Sequence, residues 1–180
     1  MKYLLILTAL LTFQSVNALD LDFDKLKLQA EQGDEFAQYL LGRMYYLGEG
    51  VPESAVEAVK WFRKAADQDI VNAQYSLGGM YADGQGVPEN DAEAVKWYRK
   101  AAGNGYLNAQ FNLGVMYELG NGVPENNVRA YVWLSMAKTQ GDEDAKKAVE
   151  IVKNKMTKQQ IAQAQALATQ CYESDYKDFD

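Results

Sequence analysis

A single step of 36 residues governs this chain: Ala37, Ala73, Ala109 and Ala145 stand one step apart. The same step links Leu41, Leu77 and Leu113; Gly42, Gly78 and Gly114; Tyr45, Tyr81 and Tyr117; and Trp61, Trp97 and Trp133. Ala65, Ala101 and Ala137 follow it too. A fixed period of about 20–50 residues marks a stacked array, in which no unit can bury its apolar face alone. The step divides the central part into residues 34–69, 70–105 and 106–141.

Within one unit, Ala73, Leu77 and Tyr81 lie four apart and share a face with Met80, which predicts an amphipathic helix, helix A, over NAQYSLGGMYAD. Gly78 sits on that face. An isolated Gly costs about 1 kcal/mol against Ala in a helix, so its return at Gly42 and Gly114 calls for a close-packed neighbour. Gly84 offers the left-handed residue that ends a helix, and Gly86 frees the turn. Pro88 keeps Val87 from continuing the helix. Asn90 with Glu93, and Ser54 with Glu57, have the spacing of a reciprocal N-terminal cap. Helix B follows, with Ala94, Trp97 and Ala101 inward, Tyr98 open to either assignment, and Lys96, Arg99 and Lys100 outward; Gly105 closes it. The unit is a helical hairpin, and the fold class is all-α.

The residues Ala73, Leu77, Gly78, Tyr81, Gly84, Gly86, Val87 and Pro88, followed by Ala94, Trp97, Lys100, Ala101 and Ala102, resemble the Sel-1-like repeat, a relative of the tetratricopeptide repeat. The likeness runs from about Asp34 to Gly141 in three tandem copies. It implies a right-handed α-solenoid used for protein–protein contact, often in proteins of the bacterial envelope.

The array needs atypical ends to hide its outermost apolar faces. Shifting Ala66 and Asp69 back by one step lands on Ala30 and Gly33, so residues 19–33 read as an N-terminal cap resembling the end of a helix B. At the other end, Lys96, Arg99 and Lys100 of the second repeat become Val132, Ser135 and Met136 in the third. Something must cover that lost solvated face. Ala145, Ala148, Val149 and Val152, then Ile161, Ala164, Leu167, Ala168 and Cys171, recur at helical spacing, with Thr157 and Gln160 as a capping pair. Residues 142–172 therefore read as C-terminal capping helices and 173–180 as an acidic tail.

Residues 1–18 combine Lys2, an apolar run from Tyr3 to Phe13 and the small-residue site Val16-Asn17-Ala18. This is the pattern of a signal peptide cleaved after Ala18, which predicts a periplasmic or secreted protein with no stable membrane anchor. A net charge of −7 disfavours nucleic acid and anionic lipid, whose binding needs clustered Lys and Arg, and favours a partner with a basic segment. Cys171 is the lone cysteine. It reads as a small apolar residue in a terminal helix, with an intermolecular bridge as the other reading.

The chain has no histidine, which removes Ser-His-Asp and Cys-His nucleophiles and His-containing zinc sites. The Gly-x-Gly turns at Gly48, Gly84 and Gly120 lack the strand-before-helix setting of a dinucleotide loop. Glu49, Asp83 and Asp91 do not follow calcium-loop spacing. No catalytic residue, metal or cofactor is expected.

In helical-hairpin solenoids helix A lines the concave surface. The candidate partner-binding positions are therefore Tyr39, Arg43 and Tyr46 in the first repeat, Asn72, Tyr75 and Asp83 in the second, and Asn108, Phe111, Val115 and Glu118 in the third. Tyr39, Tyr75 and Phe111 would form an aromatic ladder, with Arg43, Asp83 and Glu118 supplying polar selection; the alternative is that the rings merely pack helix on helix. Arg43, Gly79 and Val115 occupy one equivalent position and share no chemistry. Buried aromatic anchors carry much of the energy at interfaces, so the expected function is a non-catalytic interaction module for a protein or peptide. Envelope adaptors and toxin-neutralising partners are roles the resemblance offers. The competing reading is a carboxylate-dependent hydrolase or binder of cell-wall or β-lactam compounds. Relatives associated with that role are cysteine-rich, unlike this chain.

Overall fold

The structure, a computed structural model, describes residues 23–174 and 176. The expected signal peptide, residues 1–18, and most of the expected acidic tail lie outside them. Among the described residues the regular elements are helices: α1 (Phe23–Glu31), α2 (Glu35–Leu47), α3 (Ala55–Ala66), α4 (Val71–Asp83), α5 (Asp91–Gly103), α6 (Leu107–Leu119), α7 (Asn127–Thr139), α8 (Glu143–Asn154) and α9 (Lys158–Glu173). Helices α2, α4 and α6 are the copies of helix A, and α3, α5 and α7 the copies of helix B. Each A packs on its own B and each B on the next A, which builds a right-handed α-solenoid.

The hairpins turn where glycine allows. Gly48, Gly84 and Gly120 are left-handed, with φ of 69°, 66° and 75°, and return their N–H groups to the carbonyls of Met44, Met80 and Met116. Ser54, Asn90 and Asn126 then cap the following helices by accepting from the N–H three residues on. Only this half of the expected reciprocal cap forms at the first two. The Glu57 and Glu93 side chains turn instead to Lys60 and Lys96, at 2.5 and 3.2 Å. A wet backbone N–H offers an exposed carboxylate less than an ammonium one turn away. The complete box forms at Thr157 and Gln160.

The packing reason for the repeated helix-A glycine is explicit. A Cβ added at Gly42 would lie 2.6 Å from the Phe62 ring, one at Gly78 2.7 Å from the Tyr98 ring, and one at Gly114 2.7 Å from Leu134 Cγ. The residue after each tryptophan thus presses into the gap that glycine leaves. Trp61, Trp97 and Trp133 are buried, as core residues should be. Arg99 departs from the outward placement expected of it. It is half-buried and donates to the Tyr117 hydroxyl at 2.7 Å, and Arg63 makes the same bond to Tyr81 one repeat earlier. A long aliphatic stem lets a helix-B guanidinium lie along the joint and reach the next helix A.

A polar clasp crosses the same joints. Gln38, Gln74 and Gln110 are buried, and each donates its amide to a carbonyl at the end of the preceding helix: Ala30, Ala66 and Ala102. Their carbonyl oxygens accept from Gln68 and Gln140 at the first and third positions, both at 2.8 Å. At the second, Asn104 stands where those glutamines stand. It is one methylene shorter and bonds Lys100 O instead, leaving Gln74 Oε1 buried without a partner.

At the near end, Leu26 and Ala30 of α1 are buried with Ala37, Leu41 and Trp61. At the far end, Val149 and Val152 of α8 join the main core. Helix α9 folds back onto α7, where Cys171 is buried with Val132 and Met136 and packed by Leu167 and Ala168. The positions that Lys96 and Lys100 hold in the open on α5 are thus roofed on α7.

Candidate functional site

Helices α2, α4 and α6 stand in a row, and the side chains turned away from helix B form a wall. The C-terminal helices leave it open: α9 lies on α7, and α8 extends the array beyond α6. On α2 the wall is apolar with one cation. Phe36 is 63% exposed, Leu47 48% and Tyr46 41%, and Arg43 is open beside them. On α4 it is polar, with Asn72 and Asp83 exposed, Ser76 half-buried and Gly79 contributing no side chain. On α6, Asn108 is exposed, Val115 half-buried and Leu119 58% exposed.

Tyr39, Tyr75 and Phe111 are half-buried. The two tyrosines differ from a free-standing ladder, because each leans on the ring of its own helix B. Tyr39 lies 5.9 Å from Phe62, and Tyr75 lies 5.7 Å from Tyr98. Gly42 and Gly78 leave the room that brings those rings up to the wall. Tyr46 adds a second contact to Phe62, and its hydroxyl donates to Gln85 at 3.3 Å. Of the three charges expected to select a partner, Arg43 and Asp83 face solvent. Glu118 is tied to Lys155 at 2.9 Å, with 14% of its side chain exposed, so its charge serves the joint with the cap.

Three wall residues escape the periodicity. Tyr106, at the N-terminus of α6, sets its ring 4.9 Å from that of Tyr75, tilted by 40°. Tyr98 rises from α5 beneath Gly79, its hydroxyl 3.5 Å from where a Cβ there would sit. The Asn112 amide faces both the Tyr75 and the Tyr98 hydroxyl. The double glycine Gly78-Gly79 was the available signal: the first makes room for the ring, the second uncovers its hydroxyl. Burial pushes the Tyr98 hydroxyl up to about 12, with Asn112 opposing part of the rise and Tyr75 and Asp83 adding to it. Burial also raises Tyr39, against the pull of Arg43, and Tyr75, with help from Tyr106. The centre of the wall therefore presents neutral hydroxyls beside the Asp83 carboxylate, between apolar stretches on α2 and α6. Among the described residues no group of acids, Cys or His has the arrangement of a metal site.

The model of the Sel1 repeat matches residues 36–70, 71–106 and 107–142, more than half of the chain. A Sel1 repeat protein from Oxalobacter formigenes is similar in crystal structure, with TM-score 0.66 and 41% identity over 72% of this chain and 97% of that one. So is c5321, a protective antigen present in uropathogenic Escherichia coli strains and displaying an SLR fold, with TM-score 0.64 and 29% identity over 86% of this chain and 42% of that one. Cysteine rich protein B of Helicobacter pylori shares the fold, with TM-score 0.55 and 23% identity over 69% and 92% of the two chains. The sel1-like repeat-containing protein L18 of Acanthamoeba polyphaga mimivirus is 46% identical over 46 residues, 26% of this chain, and the match spans 8% of its own length. Three matched repeats and a shared helical stack place this chain in the Sel1 repeat family.

Proposed function

We propose that this chain is an exported, non-catalytic adaptor whose wall of α2, α4 and α6 holds a segment of a partner protein. Sel1 repeat proteins generally mediate protein–protein interaction. The observation that carries the reading is the contrast between an invariant frame and a varied, open wall. Arg43, Gly79 and Val115 differ at one position, and at another Phe36 gives way to asparagine at Asn72 and Asn108, while the glycines and tryptophans behind them repeat without change. Large apolar side chains in the open at Phe36, Leu47 and Leu119 serve no folding purpose and suit burial against a partner. A basic side chain in the partner fits between them, opposite Asp83 and the tyrosine hydroxyls.

Capture from an envelope extract, at low and high salt, tests the reading. Phe36→Ala, Leu119→Ala and Asp83→Asn lie on open positions, so melting should hold while partner retention falls by about tenfold for each lost apolar anchor. The Asp83→Asn loss should shrink as salt rises. Retention indifferent to all three, and to Tyr39→Ala, Tyr75→Ala and Phe111→Ala, would remove the wall from consideration. Export is checked separately, by the mass of the periplasmic or secreted product, expected to begin at Leu19.

A further inference from the structure

Gly79 is a helical glycine with no packing reason to be one. A Cβ at Gly42, Gly78 or Gly114 would come within 2.6 or 2.7 Å of the helix-B residue opposite, whereas one at Gly79 would meet the Tyr98 hydroxyl at 3.5 Å, an ordinary contact. It lies inside α4, where glycine weakens a helix relative to alanine. What it does is open the way to that hydroxyl. Tyr98 is 5% exposed, a ring built into the seam with its polar end at the Gly79 gap. The gap and the hydroxyl occur in the same repeat. The equivalent pairs are Arg43 with Phe62 and Val115 with Leu134, and neither Phe62 nor Leu134 has a polar side-chain atom to uncover.

Polar groups surround the gap. Tyr75, Gly79 and Asp83 stand four apart on one face of α4, so a phenol and a carboxylate flank it, each about 6 Å away along the axis. Asp83 acts on both the Tyr75 and the Tyr98 hydroxyl, and the Asn112 amide faces both from α6. Asp83 is exposed, and unlike Glu57, Glu93 and Glu118 it has no lysine set against it among the described residues. No basic residue stands in the last turn of α4, so the negative end of that helix adds to the Asp83 charge. The Tyr106 ring, 4.9 Å from that of Tyr75, widens the aromatic surface beside the gap.

We infer that the Gly79 gap is a seat for an arginine side chain of the partner, in preference to a lysine. The dent is shallow, one missing side chain deep, and its acceptors are spread over two hydroxyls and a carboxylate. A guanidinium is a weakly hydrated plane with five donors in a fixed fork. It can lie flat over the glycine, donate to several acceptors at once and rest against a tyrosine ring. An ammonium is a compact, strongly hydrated point charge, which would give up water here for a single carboxylate. The inference rests on the wall being where a partner lies, and it adds which side chain that partner brings to α4.

The peptide acetyl-Ala-Ala-Arg-Ala-Ala-amide, with its lysine and citrulline versions, tests this by NMR titration of the full chain. The arginine peptide should shift the Gly79 N–H and the Asn112 side-chain amide saturably. It should bind about tenfold more tightly than either of the others, the factor one charge-assisted hydrogen bond supplies. Citrulline keeps the shape without the charge, and lysine keeps the charge without the fork. Gly79→Ala should abolish the preference while melting no lower than the native chain, because its methyl group covers the hydroxyl at an ordinary contact distance and alanine favours the helix. Tyr98→Phe and Asp83→Asn should each reduce the preference severalfold. Equal affinity for the three peptides would overturn the inference, and so would an arginine preference that survives Gly79→Ala. Neither result touches the wall reading, which Phe36→Ala and Leu119→Ala decide through partner capture. Capture that those two variants abolish and Gly79→Ala leaves intact would keep the wall and discard the arginine seat.

Discussion

Helices α5 and α7 are the same element one repeat apart, yet they meet the world differently. On α5, Lys96 and Lys100 stand in water, with Lys100 resting over the Trp97 ring at 4.5 Å. On α7, Val132 and Met136 replace them and lie buried under α9. Behind both helices the joints to helix A are alike: a buried tryptophan, a buried alanine pair or its equivalent, and a residue pressed on glycine. The difference teaches that the repeat specifies the inner seam, while the outer face is free to be solvent or a docking surface. Changing two or three residues there is enough to end an array.

The largest effect should come from putting the α5 chemistry onto α7. Val132→Lys places an ammonium under α9, in a site with no solvent exposure. An unpaired buried charge costs about 3 kcal/mol or more, so the variant should lose about that much stability or shed α9. Cys171, 1% exposed in the native chain, reports the second outcome by becoming reactive to a thiol reagent. The converse change on α5, Lys96→Val, should shift stability by no more than about 0.5 kcal/mol. Unchanged denaturation and a protected Cys171 in Val132→Lys would mean that α9 is not what covers α7.

Second in size is an alkaline effect that α5 contributes and α7 does not, because its glycine-filling residue is Tyr98 where α7 has Leu134. Burial raises the Tyr98 hydroxyl to about 12 in the folded chain, from near 10 unfolded. The stability this affords is whole below pH 10, where both states hold the proton. It is lost as pH rises toward 12, where only the unfolded state has released it. The loss should reach about 2 kcal/mol in urea titrations, and Tyr98→Phe should flatten that limb. A limb as steep in Tyr98→Phe as in the native chain would assign the titration elsewhere.

The glycines give a smaller contrast. A Cβ at position 114 would meet not only Leu134 Cγ but the Leu134 backbone nitrogen at 3.1 Å, whereas one at 78 meets ring atoms of Tyr98 alone. Overpacking costs about 1–3 kcal/mol, against a helix-propensity gain of about 1. Gly114→Ala should therefore cost about 1–2 kcal/mol net in chemical denaturation, and Gly78→Ala less, because a ring can swing where a backbone cannot. Equal losses would show that the ring is as fixed as the main chain.

Much of this frame is legible in the residue spacing, for a physical reason. Apolar positions and glycines report burial and close approach directly, so the hairpins, the tryptophan seam and the loss of charge on α7 can all be read in one dimension. Long polar side chains cannot. Arg99 looks like a solvated cation until Tyr117 of the next helix is placed beside it, and Glu118 looks free until Lys155 comes round from the end of α8. Tyr106 and Asn112 reach the wall because α6 follows α4 in the stack with α5 packed on both, which no spacing within a repeat records. The glutamine clasp was hidden differently. Gln38, Gln74 and Gln110 share the period, but a polar residue next to an alanine reads as surface unless its buried partners are known.

That clasp separates α5 from α7 once more, at the other end. Gln140, after α7, reaches both Gly105 O and Gln110 Oε1. Asn104, after α5, reaches neither equivalent and leaves Gln74 Oε1 unsatisfied in the core. Restoring the missing methylene with Asn104→Gln should let the amide donate to that oxygen, as Gln68 and Gln140 do in the flanking joints. A satisfied buried acceptor is worth about 1 kcal/mol, and the exposed bond to Lys100 O given up in exchange is worth little. At this chain length the melting midpoint should rise by about 2–4 °C. Gln140→Asn should lower it by a similar amount, since it recreates in the third joint the defect of the second. If Asn104→Gln fails to stabilise while Gln140→Asn still destabilises, the middle joint is held too far open for the clasp to close. The two helices would then differ in spacing as well as in surface.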